Sequence, residues 1–133
     1  MLIYLYKFID HLKSSPARKN KLILIPAILS LLINLCTWGI IYFRFRPLVM
    51  NLPPDQSFIP LHYNIFLGVD SFGTWQNIFW LPAIGLIFFI INTIFSLFVY
   101  HKKTIISYFL SLVTPALEII LFIATLLIIL INI

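Results

Sequence analysis

Three stretches of this sequence, about 22–43, 78–100 and 105–133, are each long and apolar enough to cross a lipid bilayer. A span needs about 20 mostly apolar residues, because the hydrocarbon is roughly 30 Å thick and a helix rises about 1.5 Å per residue. Lipid offers no partner to an open backbone, so each stretch must be helical. The whole chain has only 133 residues, 62% hydrophobic and 10% charged, where a soluble domain carries roughly 25% charged residues. A chain this small cannot enclose that much apolar surface, which excludes a water-soluble monomer, and its hydrophobicity excludes a disordered one. The expected fold class is an all-α membrane protein: three transmembrane helices, an N-terminal amphipathic interfacial helix over 1–15, and a three-span domain over 16–133 with an extracytoplasmic loop at 44–77.

Basic residues set the direction. Lys7, Lys13, Arg18, Lys19 and Lys21 precede the first span, and Lys102 and Lys103 separate the second from the third. Arg44 and Arg46 alone lie between the first two. The positive-inside rule puts the N-terminus in the cytoplasm, the 44–77 loop outside a bacterial inner membrane, the 101–104 turn inside and the C-terminus outside. The net charge of +5 reads as a topology and anionic-lipid signal, not as a nucleic-acid one. Trp38, Tyr42, Phe43, Trp75 and Trp80 fall at the outer interface, where aromatic rings collect. A cleaved signal peptide is not expected, since the first span is too long for one and no small-x-small site follows it. The single cysteine, Cys36, excludes an internal disulfide and reads as a small buried residue.

On the first helix, Met1, Leu2, Leu5, Phe8, Ile9 and Leu12 share one arc, with Lys7, Asp10, His11 and Ser14 opposite. That pattern suits a helix lying in the membrane surface, either as an anchor or as a docking element for a cytoplasmic partner. Ser15 and Pro16 are expected to cap and open the next helix.

Polar residues inside the spans fall into stripes. Ser107, Ser111, Thr114, Glu118, Thr125 and Asn132 share one face of the third span, roughly 60° wide at 100° per residue. Ser30, Asn34 and Thr37 line one face of the first span, and Gly85, Asn92 and Ser96 one face of the second. Lipid tails cannot satisfy these groups, so the stripes should turn toward each other or toward a partner. Counted from the cytoplasmic edges, Asn34 and Glu118 lie about 18–20 Å deep and Asn92 about 12 Å. Asn34 and Glu118 are therefore expected to meet, and Asn92 to reach Thr114 or Ser30. An unpaired carboxylate at that depth costs several kcal/mol, so Glu118 is expected to be neutral. It serves as a hydrogen-bonding residue of the bundle, as the mate of a cation on another subunit, or as part of a transport path.

The 44–77 loop is the only long connection, and long loops tend to carry function. Pro53-Pro54-Asp55 marks a turn, and 58–67 has strand propensity punctuated by Gly68 and Gly73, so a short strand pair or hairpin is expected. Pro60-x-His62-Tyr63-Asn64, then Gly68, Asp70, Gly73 and Trp75, form the motif of this loop. Its pattern, over about residues 22–100, resembles a bacterial membrane domain of unknown function found in small membrane proteins and at the front of SdpI-type immunity proteins. Two departures stand out. Gly68 lies one residue further from Asn64 than in that pattern, and the immunity proteins carry a further multi-span half. The resemblance implies no known chemistry and transfers no catalytic residue.

Read from the residues, His62, Asn64, Asp55 and Asp70 offer a site for a cation or a peptide, though His62 and Asp70 are too few for structural zinc. The plainer reading has His62 and Asn64 bonding the loop backbone, with Gly68 and Gly73 at positive φ. No nucleophile–base arrangement and no phosphate loop is evident, so no enzyme activity, cofactor or metal is expected. The expected role is association with another membrane protein, or with copies of itself, as an accessory, assembly or immunity-like subunit. The alternatives are an oligomeric ion or solute pathway lined by Glu118, and a sensor binding a peptide or cation at the outer loop.

Overall fold

A computed structural model describes residues 2–51, 53, 58–64, 66 and 68–132. Helix α1 spans Leu2–Ser14 and is followed by a 3₁₀ turn at Pro16–Lys19. Helix α2 spans Lys21–Ile40, passes through a π-helical turn at Ile41–Phe45, and continues as α3, Arg46–Met50. Strands β1 (Phe58–Asn64) and β2 (Gly68–Thr74) form an antiparallel pair. A 3₁₀ turn at Trp75–Phe79 leads into α4, Trp80–Val99, and a tight turn joins it to α5, Thr104–Ile131.

Three rods result, Lys21–Met50, Trp75–Val99 and Thr104–Ile131, each long and apolar enough to cross a membrane. The first runs past the expected end at residue 43, so Arg44 and Arg46 lie within helix instead of closing it. Pro47 explains the π turn. It lacks an N–H and its ring would collide with the carbonyl four residues back, so the helix widens by one residue there. The Arg46 N–H accordingly bonds the Ile41 carbonyl, five residues back.

The start of α2 also differs from expectation. Its N-cap is Asn20, whose Oδ1 accepts from the Leu22 N–H at 2.9 Å. Ser15 caps nothing; it is buried, and its Oγ donates to the Leu97 carbonyl of α4 at 3.1 Å. Pro16 opens the intervening 3₁₀ turn. This short segment is thereby fastened to the bundle, and α1 lies against α4. Cys36, expected to be buried, is exposed on α2.

α2, α4 and α5 pack mutually, yet their most apolar windows bury only 17–28% of their residues inside the chain. The accessible surface is 9392 Å², against about 7,200 Å² for a globular monomer of this mass. The helices turn Leu, Ile and Phe outward and keep Ser30, Asn34, Thr37, Ser96, Ser107, Ser111, Thr114, Glu118 and Thr125 inside. In water that arrangement would forfeit the hydrophobic driving force; it suits a surrounding as apolar as the side chains themselves.

Among the described residues, an apolar core cluster sits at the hairpin end. Ile41, Phe45, Val49, Ile59, Ile78 and Ile129 are buried together, covered by Leu61, Trp75 and Phe79. Trp75 packs edge-on against Phe79 (5.9 Å between centroids), which also meets Trp38 at 5.3 Å. Strand β1 ends at Asn64, short of the expected 58–67 stretch, and β2 starts at Gly68, which takes φ 75°. Gly73 does not have positive φ; instead its missing side chain admits neighbours, since a Cβ there would lie 2.5 Å from Leu61 Cδ1 and 2.8 Å from Asn77 Nδ2. Pairing runs from Phe58 with Thr74 to Asn64 with Gly68, with irregularities between Pro60 and His62 and between His62 and Tyr63. Leu61 is the extra residue at the first and Asp70 at the second, so the two offsets cancel and the register is restored.

Candidate functional site

The polar interior is built in layers along the bundle. Nearest α1, Asn20 Nδ2 lies 3.0 Å from Tyr100 Oη and 2.8 Å from Tyr108 Oη, donating across to α4's end and to α5. One turn deeper, Ser96 of α4 and Ser107 of α5 face each other. Their hydroxyl oxygens are 2.8 Å apart, Ser96 Oγ is 3.0 Å from the Ser107 carbonyl, and Ser107 Oγ is 2.7 Å from the Ser96 carbonyl. Next, Ser111 Oγ donates to the Ile23 carbonyl of α2 at 3.2 Å. Ser30, Thr37, Thr114 and Thr125 satisfy their hydroxyls locally, each donating to the carbonyl four residues back.

The central layer joins all three rods. Asn34 Nδ2 on α2 donates to Glu118 Oε2 on α5 at 3.1 Å and to the Pro82 carbonyl on α4 at 2.9 Å. Glu118 is 2% exposed and Asn34 1%. Gly85 on α4 makes the space for them. A Cβ at that position would lie 2.7 Å from Glu118 Oε2, 2.9 Å from Asn34 Nδ2 and 3.0 Å from Glu118 Oε1. Glu118 Oε1 is buried and has no hydrogen-bond partner. The three stripes thus turn toward each other within one chain, and the carboxyl bonds an amide of its own chain.

Asn92 does not meet the partners expected of it. It is half-buried and bonds neither Thr114 nor Ser30, whose hydroxyls are committed to Leu110 and Pro26. α4 and α5 run antiparallel, and the pairs Gly85–Glu118 and Ser96–Ser107 put Asn92 level with Ser111. Ser111 has already turned to α2, which leaves the Asn92 amide without a mate on α5.

At the hairpin end, Asn132 Nδ2 donates to the Pro60 carbonyl of β1 at 2.9 Å and to the Ile128 carbonyl at 2.8 Å. This bond ties the loop motif to the end of α5. Of the motif residues, His62 is exposed and lines, with Leu61, a cleft of about 330 Å³ against Ala124, Leu127, Ile128 and Ile131 of α5. Tyr63, Asn64 and Asp70 are placed by strand register alone, Tyr63 opposite Val69 and Asn64 opposite Gly68. Pro54 and Asp55, two of the three residues of the turn expected at 53–55, lie outside the described residues. Asn20, the Pro82 carbonyl, Tyr100 and Tyr108 were not among the expected site residues, and Ser15 was expected as a helix cap, not as a tie to α4. An Asn immediately before an apolar run is an N-cap signal that would have found the first.

Family models, curated proteins and solved structures were compared with this chain, and none matches.

Proposed function

We propose that the chain is a multi-pass protein of a bacterial inner membrane, with α1 on the cytoplasmic side and the hairpin outside, and that it works without enzymatic chemistry. Its role on this reading is association with another membrane protein through the hairpin, as an accessory, assembly or immunity-like subunit. One observation carries the reading: the hairpin is fixed to the bundle yet turns large aromatic side chains outward. Ile59 is buried at 3%, and Asn132 holds the Pro60 carbonyl, while Phe58 and Phe72 stay 64% and 63% exposed. Pro60 pairs with Phe72, so Phe58 and Phe72 are near neighbours across the two strands. Paired exposed aromatics on a rigid element are the composition of an interface centre. The bundle itself spends its central Asn34 and Glu118 internally and offers mostly aliphatic side chains to its surroundings.

The test places a photoreactive amino acid at 72, and for comparison at 109, whose Phe is 68% exposed on α5. A discrete adduct from position 72 alone, lost in Phe58→Ser, is the expected result. No adduct from 72, or the same adduct from both positions, refutes the reading. Reporter tags on the two termini should lie on opposite faces of the envelope; both on one face overturns the orientation.

A second reading draws on the cleft between β1 and α5. Five of its six lining residues are apolar and the sixth is His62, which favours a hydrophobic peptide segment over a cation as the ligand of a sensor. Calorimetry with apolar peptides, on the parent chain and His62→Ala, tests it; no heat from either rejects it.

A further inference from the structure

A cleft lies at the end of the bundle opposite the hairpin. It has a volume of about 520 Å³ and is lined by Lys13, Ser14, Ser15, Pro16, Arg18 and Lys19. Three of the six are cations and none is acidic. Among the described residues, none of the three forms an ion pair.

The cleft is shaped by the break between α1 and α2. Its floor is Ser15, buried and fastened to the Leu97 carbonyl, so the site is anchored to α4. Its wall is set by Arg18, whose Nη1 donates to the Lys13 carbonyl in the last turn of α1 at 3.1 Å. That bond holds one edge of the guanidinium and leaves its other N–H groups for a ligand. A planar donor fork in a cleft lined by two lysines suits an anion with paired oxygens, and of those the phosphate is the one that a bilayer surface supplies.

Position decides between the possible sources of that phosphate. The apolar run of α2 begins at Leu22, just beyond the cleft, and Leu97 lies in the last turn of the apolar α4. In a bilayer the cleft therefore sits at the level of lipid phosphates. Its volume fits a glycerophosphate headgroup, and ligand sites span about 300–1,000 Å³. We infer that this cleft binds the phosphodiester headgroup of an anionic phospholipid, gripped between Arg18, Lys13 and Lys19 over the Ser15 floor. The inference rests on the membrane reading above, and goes beyond it by assigning a ligand and a site.

The experiment uses the full chain in neutral detergent, stripped of lipid and then offered phosphatidylglycerol, phosphatidylcholine or inorganic phosphate, with native mass spectrometry as the readout. The parent chain should retain phosphatidylglycerol at least about tenfold better than phosphatidylcholine, and millimolar phosphate should not displace it. Arg18→Gln/Lys19→Gln should lose that preference about tenfold. Lys102→Gln/Lys103→Gln removes two charges from the same end of the bundle and should keep it within about twofold, as should the charge-preserving Arg18→Lys/Lys19→Arg within about threefold. Equal loss in the two glutamine variants, absence of headgroup preference, or full displacement by inorganic phosphate would each overturn the inference. A separate alkaline wash of membranes distinguishes failure of the underlying reading: a chain released by the wash is not a membrane protein, whereas one that stays but shows no headgroup preference refutes only this site.

Discussion

Replacing Gly85 by alanine adds one methyl group to the most crowded point of the bundle. The new Cβ would sit 2.7 and 3.0 Å from the two Glu118 carboxyl oxygens and 2.9 Å from Asn34 Nδ2. Ordinary contact needs about 3.5 Å or more, so something must move by about half an ångström to an ångström. The groups in the way are side-chain ends, and they can swing, but only by giving up the 3.1 Å bond that joins α2 to α5. Overpacking costs about 1–3 kcal/mol, and an interhelical hydrogen bond in a membrane averages about 0.6 kcal/mol. Alanine returns about 0.5–1 kcal/mol of helix propensity. The expected net loss is about 0.5–3 kcal/mol, measured by titrating the folded chain in mixed micelles with a denaturing detergent. The decisive arm is a double-mutant cycle. With Glu118→Ala already in place, both carboxyl contacts are gone and Asn34 Nδ2 is the close neighbour that remains, so Gly85→Ala should cost about 1–2 kcal/mol less than in the parent chain. Additive losses would mean that Gly85 does not make the space for Glu118, and the central layer as described would be refuted.

Three further outcomes are expected. Gly68→Ala meets no steric obstacle, since a Cβ there has open space, but the residue sits at φ 75°; it should cost about 1–2 kcal/mol through backbone conformation alone, read as faster hydrogen exchange over 58–64 and 68–74 with the bundle unchanged. Asn132→Ala removes the bond to the Pro60 carbonyl, and should raise proteolytic cleavage of the hairpin severalfold while leaving the helix content of the chain as it was. Asn20→Ala deletes both the cap of α2 and the bridge to Tyr100 and Tyr108; a cap alone contributes about 0.5–2 kcal/mol, and detergent titration should show at least that loss, with Asn20→Ser, which caps but is too short to reach the tyrosines, recovering the cap component only.

The rods and the inward aim of their polar stripes were legible because both follow from one-dimensional patterns: apolar length for the first, a 100° step for the second. Asn34 and Glu118 could be paired by counting residues from the helix ends, since both lie well inside straight helix. Asn92 could not, because its partner depends on how a neighbour resolves a choice. Ser111 bonds α2 in preference to α4, and nothing in the spacing of α5 decides that. The end of the first rod was misjudged for a related reason. Arg44, Arg46 and Pro47 read as a stop, but a proline next to a π turn is tolerated, and the continued helix carries Phe45 and Val49 into the core under the hairpin. Ser15-Pro16 met the rule for a helix start, and Asn20 met it too; only the contact of Ser15 with α4 tells them apart. The aromatic placement on the hairpin needed the strand register, which shifts twice and so cannot be read from alternation.

The central layer also governs the far end of the molecule. Where the outside of a bundle is as apolar as the inside, leucine and isoleucine packing distinguishes one sliding position of two helices from the next only weakly. The polar and small residues have to do it. A shift of α5 by one turn in one direction would set Phe122 against the space at Gly85, where not even a methyl group fits; a shift in the other direction would offer Thr114, too short to replace the carboxyl that meets Asn34. Ser96 and Ser107 lose their reciprocal bonds either way. Ile129 and Asn132 lie 11 and 14 residues beyond Glu118 on the same helix, about 16–21 Å along its axis. A one-turn slip would carry them roughly 5.4 Å from their places under Ile59 and beside the Pro60 carbonyl. The hairpin therefore takes its seat from a carboxyl in the middle of the bundle, and a variant such as Glu118→Leu, which frees the sliding register, should loosen the hairpin before it unfolds the helices.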